Sequence, residues 1–405
     1  MIAVVISAVF VSCAGKKSFV DNNFKFAELQ TENMLKTMDE KISYPRTIDR
    51  NGKIRYTHAD NWTDGFFPGE LWYLYEYSKD VRWKDAAQKW TYGLENLQYL
   101  TAHHDIGFLM YTSYGNGYRL TKNPVMRKIL IQSANSLITR YDKRVKCIKS
   151  WNGRESWDGK TYWYYPVIID NMMNLELLYF ATRETGNPVY AHIATNHALT
   201  TMKNHFRADY STYHVVDYDT ITGKPIHFQT CQGFSDNSTW ARGQAWAIYG
   251  FTMVYRETRD PRFLRTAEKA ANFYLNSRSL PKDKVPYWDM NVNQAGYTPL
   301  FPWNPDAYKE QPRDASAAAI IASALFELCH YSKLYAAKFR KAAIEMIHSL
   351  ASDNYRAQAG KNNFFLLMHS TGSLPHKAEI DVPLCYADYY FLEALLRYQG
   401  RYDFK

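Results

Sequence analysis

From about residue 20 onward the chain repeats one pattern. A stretch with apolar residues at i, i+3 and i+4 is followed by a short polar break and then by another such stretch. The spacing predicts a first helix ending near Lys41, then helices near 67–79, 86–99, 107–119, 124–140 and 168–185. More follow near 188–206, 240–258, 261–278, 314–334, 336–351 and 384–399. Gly186-Asn187-Pro188 and Arg259-Asp260-Pro261 stop one helix and open the next on a proline. Leu175–Pro188 and Ile248–Pro261 each end a helix on Arg-Glu-Thr, with two residues between it and that proline. They read either as a repeated helical hairpin or as shared helix-end chemistry. Strand signals are few. Tyr213–Tyr218 alternates in the β manner, Asp219–Lys224 supplies a turn, and His227–Thr230 is the return strand. Twelve helices paired as six hairpins predict an all-α fold, an (α/α)6 barrel with a small inserted β-hairpin. No Pro-, Ser- or Gly-rich linker divides residues 21–405, so they are read as a single domain. Such a barrel opens a cavity at one end, lined by loops.

The start of the chain differs. Ile2–Val11 is apolar but too short to cross a bilayer as a helix, and it has the length of a signal-peptide core. Ser12-Cys13-Ala14-Gly15 resembles a bacterial lipobox with Cys13 as the lipidated residue. Phe10 stands where Leu is usual, and no Lys or Arg precedes the apolar run. Residues 1–20 are therefore expected to be a leader and short tether, and the protein an exported bacterial one, periplasmic or membrane-anchored as a lipoprotein. Cys147, Cys231, Cys329 and Cys385 are scattered without a C-x-x-C pair and read as buried free thiols.

Composition sharpens the picture at two points. The chain holds 33 Tyr, 21 Phe and 11 Trp, an aromatic share of 16% that suits stacking surfaces for sugars or bases. Its 49 Lys and Arg against 40 Asp and Glu leave a formal charge of +9, which favours acidic ligands. No block of five or six basic residues occurs, so nucleic acid is not the expected partner, and an acidic sugar fits the charge equally well.

Three stretches could carry chemistry. In His103-His104-Asp105-Ile106-Gly107-Phe108 an aspartate beside histidines opens a helix. It is placed for proton work, but its position alone favours a helix N-cap. In Ile168-Ile169-Asp170-Asn171-Met172-Met173-Asn174 an aspartate follows aliphatic residues. Burial there would raise its pKa toward that of a general acid, and capping is a compatible role. The third stretch runs from Gln232-Gly233-Phe234 to Trp240-Ala241-Arg242-Gly243-Gln244-Ala245-Trp246. Arg242 and Trp246, four apart, share a helix face. A guanidinium fork beside an indole could receive a carboxylated sugar, the fork on its carboxylate and the indole on its ring. The histidines form no metal-binding motif, and neither a phosphate loop nor a G-x-S-x-G elbow is present, so no metal or cofactor is expected.

Together these stretches resemble the unsaturated glucuronyl hydrolases, glycoside hydrolase family 88. Asn61-Trp62-Thr63-Asp64-Gly65-Phe66 and Ile148-Lys149-Ser150-Trp151 also fit, and the likeness covers about residues 25–400. It implies an (α/α)6 barrel and an enzyme, residues 21–405 being its catalytic domain. The implied reaction removes the C4=C5 unsaturated uronate that polysaccharide lyases leave at a non-reducing end, by hydrating its enol ether. That departs from the usual two-carboxylate schemes. By the same likeness Asp170 is the general acid/base and Asp105 assists. Trp62, His104, Trp151, His214, Gln232, Arg242 and Trp246 line the sugar's pocket. Mutual repulsion of the two carboxylates would raise one pKa. One departure is Ser238, where some members carry an aromatic. The implied partners are unsaturated uronic-acid oligosaccharides, glycosaminoglycan fragments above all. Rival readings are an unsaturated rhamnogalacturonyl hydrolase acting on pectin fragments, a non-catalytic glycan-binding lipoprotein on the same barrel, and a lyase.

Overall fold

Helices of two kinds alternate along the chain. The computed structural model describes residues 2–38, 42–59 and 61–401, with side chains from Gly15 onward. Its helices are α1 (Ile2–Thr37), α2 (Phe66–Ser78), α3 (Val81–Tyr92), α4 (Ile106–Met110), α5 (Asn116–Thr121), α6 (Pro124–Ile138) and α7 (Leu175–Thr185). After them come α8 (Val189–Asn204), α9 (Ala241–Thr258), α10 (Pro261–Asn276), α11 (Ala315–Tyr331), α12 (Ala336–Leu350) and α13 (Cys385–Gln399). A π turn, Tyr111–Gly115, joins α4 to α5 as one bent helix. A 3-10 turn, Ile169–Asn174, leads into α7.

Burial separates the two kinds. In α11, Ala315–Cys329 is buried on every side, and α9 and α13 are buried nearly throughout. A helix apolar all round belongs inside. The alanines of α11 let α9, α12 and α13 pack closely against it. In α10 only Phe263, Thr266, Ala267, Ala270, Ala271 and Tyr274 are buried, which is the single stripe of an outer helix. The inner ring is α2, α4–α5, α7, α9, α11 and α13, closed by α13 against α2. Outer helices α3, α6, α8, α10, α12 and α1 return between them. Because each inner helix is followed by an outer return, the six inner helices run in one direction and their N-termini share one end of the barrel. The expected (α/α)6 architecture is present, and the two Arg-Glu-Thr segments do end inner helices α7 and α9. Helix α1 enters the core from Val20, which is fully buried, along with Phe24 and Ala27. Cys13 lies outside the residues whose side chains are described.

Two expectations need correction. The helix expected at 86–99 begins at Val81, because the Asp80 carboxylate accepts the Arg82 amide as an N-cap. It ends at Tyr92, and Glu95–Tyr99 is a 3-10 turn. Strands are also more numerous than expected. They are β1 (Tyr44–Ile48), β2 (Ile54–Thr57), β3 (Tyr141–Asp142), β4 (Cys147–Ile148), β5 (Arg154–Glu155), β6 (Tyr162–Trp163), β7 (Pro166–Ile168), β8 (Val215–Tyr218), β9 (Pro225–Gln229), β10 (Ser370–Ser373) and β11 (Ala378–Val382). The expected inserted hairpin is β8–β9, and β7 extends it to three antiparallel strands with Ile168 opposite Val215. This register matters because Ile168 lies two residues before Asp170 and Val215 directly follows His214, so the sheet brings Asp170 and His214 together. The four cysteines with described side chains are buried and free, as expected.

One pair of buried acids makes a stability prediction. Asp388, in the first turn of α13, accepts the amides of Leu366 (2.7 Å) and Leu367 (2.9 Å). Glu70 on α2 is buried nearby, and burial followed by repulsion from Asp388 drives its pKa far up. Burial likewise raises Asp388. An acid whose folded pKa exceeds its unfolded one stabilises the fold at low pH and loses that contribution as pH rises through the folded pKa. The melting temperature should therefore fall as pH rises from about 4 to about 8, and Glu70→Gln, which removes one of the charges, should flatten the fall. Thermal melts across that range check it; an unchanged slope in the variant would contradict it.

Candidate active site

Most residues singled out from the sequence for the site lie ahead of, or in the first turns of, an inner helix. Trp62 precedes α2, His104 and Asp105 precede α4, and Asp170 sits in the 3-10 turn before α7. Trp151 precedes β5, His214 precedes β8, Gln232 precedes α9, and Arg242 and Trp246 lie within α9. The positive ends of the inner helices thus face the same mouth, a field that favours an anion.

Asp170 is 8% exposed, and its Oδ2 has no hydrogen-bond partner among the described residues. Burial raises its carboxyl to about 7. The Arg242 charge, its own backbone amide and the Trp246 N–H oppose that rise, and repulsion from Asp105 adds to it. The expected elevation is present, but desolvation is the main cause and the neighbouring carboxylate a lesser one. His214 Nε2 is 3.7 Å from Asp170 Oδ2. The His214 ring lies against the Trp240 indole, centroids 4.4 Å apart. Burial holds this imidazole neutral, well below its usual pKa.

Asp105 corrects an expectation. It occupies the N-cap position of α4, but its carboxylate accepts none of the helix amides. It faces two histidines instead, with Oδ2 3.0 Å from His103 Nδ1 and Oδ1 3.3 Å from His104 Nε2. Burial would raise its pKa, but His104 and His103 outweigh that and hold it below the usual carboxylate value. The two aspartates therefore differ at neutral pH: Asp105 is ionised and Asp170 is poised to carry a proton. Environments that push two carboxyls apart assign acid and base roles.

Arg242 and Trp246 also sit differently from expectation. Arg242 is 1% exposed, and its fork is already engaged. Nη1 donates to Asp314 Oδ2 and to the Thr371 carbonyl, both at 2.6 Å, and Nη2 donates to the Gly372 carbonyl at 2.5 Å. Its charge reaches the site from behind, through Asp170, and its hydrogen bonds pin β10 to α9. Trp246 is fully buried, edge-on to Phe108 and Tyr390, so its ring cannot stack on a sugar. It offers only its Nε1–H, toward Asp170. Phe66, Phe108, Tyr386, Tyr390 and Trp246 close the floor beneath Trp62. Trp62 and Trp151 are half-buried and keep faces available; Trp151 lies edge-on to His214 at 6.4 Å. Gln232 is half-buried, its side chain donating to the Gly372 carbonyl at 3.0 Å. Ser238 is buried, and its hydroxyl is engaged by Asp289 Oδ2 and the Ser235 carbonyl.

Asp314, Trp240 and Asn174 take part in this arrangement and were not singled out for it. Asp314 has the sequence signature of a helix cap, and it does cap α11 through Oδ1. Its second oxygen, held by Arg242, has no local signature. Among the described residues no three His, Cys, Asp or Glu side chains converge as metal ligands.

A helical barrel with two carboxyls of opposite protonation at one mouth, one buried and one half-buried, ringed by indoles and imidazoles, is the layout of a sugar-processing hydrolase. The profile of Glycosyl Hydrolase Family 88 matches residues 32–390, and the chain belongs to that family. It is 45% identical over 360 residues to an unsaturated glucuronyl hydrolase of Formosa agariphila, covering 88% of this chain and 85% of that one. An unsaturated chondroitin disaccharide hydrolase of Streptococcus pneumoniae is 33% identical over 377 residues, covering 91% and 89%. The crystal structure of an unsaturated glucuronyl hydrolase specific for heparin superposes with a TM-score of 0.87 at 44% identity, covering 96% of this chain and 99% of that one.

Proposed function

We propose that this protein removes the 4,5-unsaturated uronic acid from the non-reducing end of lyase-generated glycosaminoglycan fragments by hydrating the C4=C5 bond. One observation carries the chemistry: a buried carboxyl held near neutrality at Asp170, beside an ionised one at Asp105. Protonated Asp170 gives its proton to C4, and positive charge develops across C5 and the ring oxygen. Water adds to C5 as Asp170 takes back a proton, leaving a hemiketal. The C5–O bond of the hemiketal then breaks, giving a C5 ketone and a hydroxyl at C1. The resulting hemiacetal at C1 expels the rest of the chain, and an open keto acid remains. Ionised Asp105 and the Arg242 charge balance each other around the cationic transition state and the anionic substrate. The glycosaminoglycan assignment is supported by the substrates named for the heparin-specific and chondroitin-disaccharide relatives.

The test is the ultraviolet absorbance of the conjugated enol ether in unsaturated disaccharides from heparin, chondroitin and hyaluronan digests. The absorbance should fall on mixing. A rise with uncleaved polysaccharide would mean a lyase, and no change on any disaccharide would remove the proposal.

The pH dependence follows from the same groups. kcat/KM reports the free enzyme's essential groups. Activity needs Asp170 protonated, so it should decline as pH rises through about 7. It needs His104 neutral, and burial lowers that imidazole to about 4, so it should decline again below that value. A profile rising steadily through neutrality would contradict the assignment of Asp170 as acid.

Cys13 of a lipobox-like segment would carry the lipid, placing the enzyme at a membrane surface outside the cytoplasm. Metabolic labelling with palmitate tests it: label lost in Cys13→Ser supports the anchor, and label absent from the unaltered protein removes it.

A further inference from the structure

The two aspartates each face a buried, neutral histidine, and a neutral imidazole carries its hydrogen on only one nitrogen. Which one is set by what the other nitrogen accepts. For His214 the backbone decides. Its Nδ1 receives the amides of Cys231 and Gln232, both at 3.2 Å, so its hydrogen is on Nε2, the atom near Asp170.

His104 is set by a side chain. Its Nδ1 lies 3.1 Å from Asn174 Nδ2. The orientation of that amide is fixed by the Phe108 backbone N–H, which can only donate and which meets Asn174 Oδ1 at 2.8 Å. The group facing His104 is therefore the NH2, also only a donor, and His104 Nδ1 must accept. Asn171 agrees with this. Its Nδ2 donates to the Ile148 carbonyl at 2.8 Å, which leaves Oδ1 as an acceptor beside the His104 ring. The His104 hydrogen is thus on Nε2, 3.3 Å from Asp105 Oδ1. Gly107 makes room for the contact, since a Cβ there would stand 2.4 Å from Asn174 Cα and Oδ1.

We propose that Asn174 is a positioning residue of the reaction: it holds His104 in the Nε2–H tautomer, so that an N–H rather than a lone pair faces the Asp105 carboxylate. The same side chain ties the turn that carries Asp170 to the first turn of α4, behind Asp105. Asn174 is fully buried and acts only through these partners. The inference rests on the reading of Asp105 and Asp170 as the reacting carboxyls.

Two measurements test it. In the unaltered protein with 15N-labelled histidine, the His104 signals should show hydrogen on Nε2 and none on Nδ1 at neutral pH. In Asn174→Asp the Phe108 amide keeps its acceptor, but an acceptor now meets Nδ1 and draws a hydrogen to it. The His104 signals should change accordingly, and kcat should fall at least about 100-fold with KM nearly constant, as a wrong tautomer does in other active sites. Hydrogen on Nδ1 in the unaltered protein would overturn the inference. So would an Asn174→Asp variant with unchanged kcat. The spectroscopic arm needs no variant to fold and no activity. A protein with the expected tautomer but inactive on every unsaturated uronide would support the role of Asn174 toward His104 and remove the reading of the reaction.

Discussion

Asp170→Asn is expected to lower kcat by about 10³–10⁴-fold while KM stays within about threefold. The substitution keeps the shape of the side chain and removes only the proton that moves. An amide cannot protonate C4, and it cannot take a proton from the attacking water. Because Asp170 reaches the site between the His214 and Trp246 N–H groups, no neighbouring carboxyl can replace it. Asp105 is held ionised by His104 and His103, so it is a poor acid at the pH where Asp170 works. Steady-state kinetics on an unsaturated disaccharide check this. A variant that kept a tenth of the activity would show that Asp170 is not the proton donor.

Arg242→Ala is expected to cost about 3–5 kcal/mol of stability and nearly all activity, because removing one partner of a buried ion pair strands the other. Asp314 is fully buried, and its Oδ2 would lose the Arg242 hydrogen bond. The carbonyls of Thr371 and Gly372 would lose their donors as well, which frees β10 from α9. The same change removes the positive charge that opposes the rise of the Asp170 pKa, so residual activity should persist to higher pH than in the unaltered enzyme. Arg242→Lys should recover part of the stability but not the three-bond pattern, since an ammonium lacks the planar fork. Denaturant unfolding of both variants measures the first effect. A loss below about 1 kcal/mol would mean that the pair contributes little.

The architecture was legible from spacing because inner and outer helices differ in how much of their circumference is apolar, and that difference is written along the chain. Asp105 and Asp170 stood out as candidates because each sits within a short distinctive stretch, and the fold brings them within electrostatic reach of each other. Arg242 and Trp246 show where such reading stops. Their i, i+4 spacing puts them on one face of α9, yet says nothing about whether that face meets solvent or core, and both proved buried. Asp105 shows the same limit from another side: its backbone is an N-cap, and only tertiary contact with His103 and His104 shows that its carboxylate is used elsewhere. The β1–β2 hairpin did carry a local signal, Asn51-Gly52 between alternating segments. Hairpin β10–β11 carried none. Ser370–Ser373 has no apolar alternation, and bonds from Arg242 and Gln232, well over a hundred residues earlier in the chain, hold it in place.

The central claim is that Asp170 delivers a proton to C4 and water then adds at C5. Turnover of an unsaturated disaccharide in D2O, with the product read by NMR before it can enolise, tests this most directly. Delivery from one fixed carboxyl predicts a single deuterium at one of the two C4 positions, formed at the rate at which the enol-ether absorbance falls. Cleavage of the glycosidic bond without C4 deuteration, or deuterium spread equally over both positions, would contradict it.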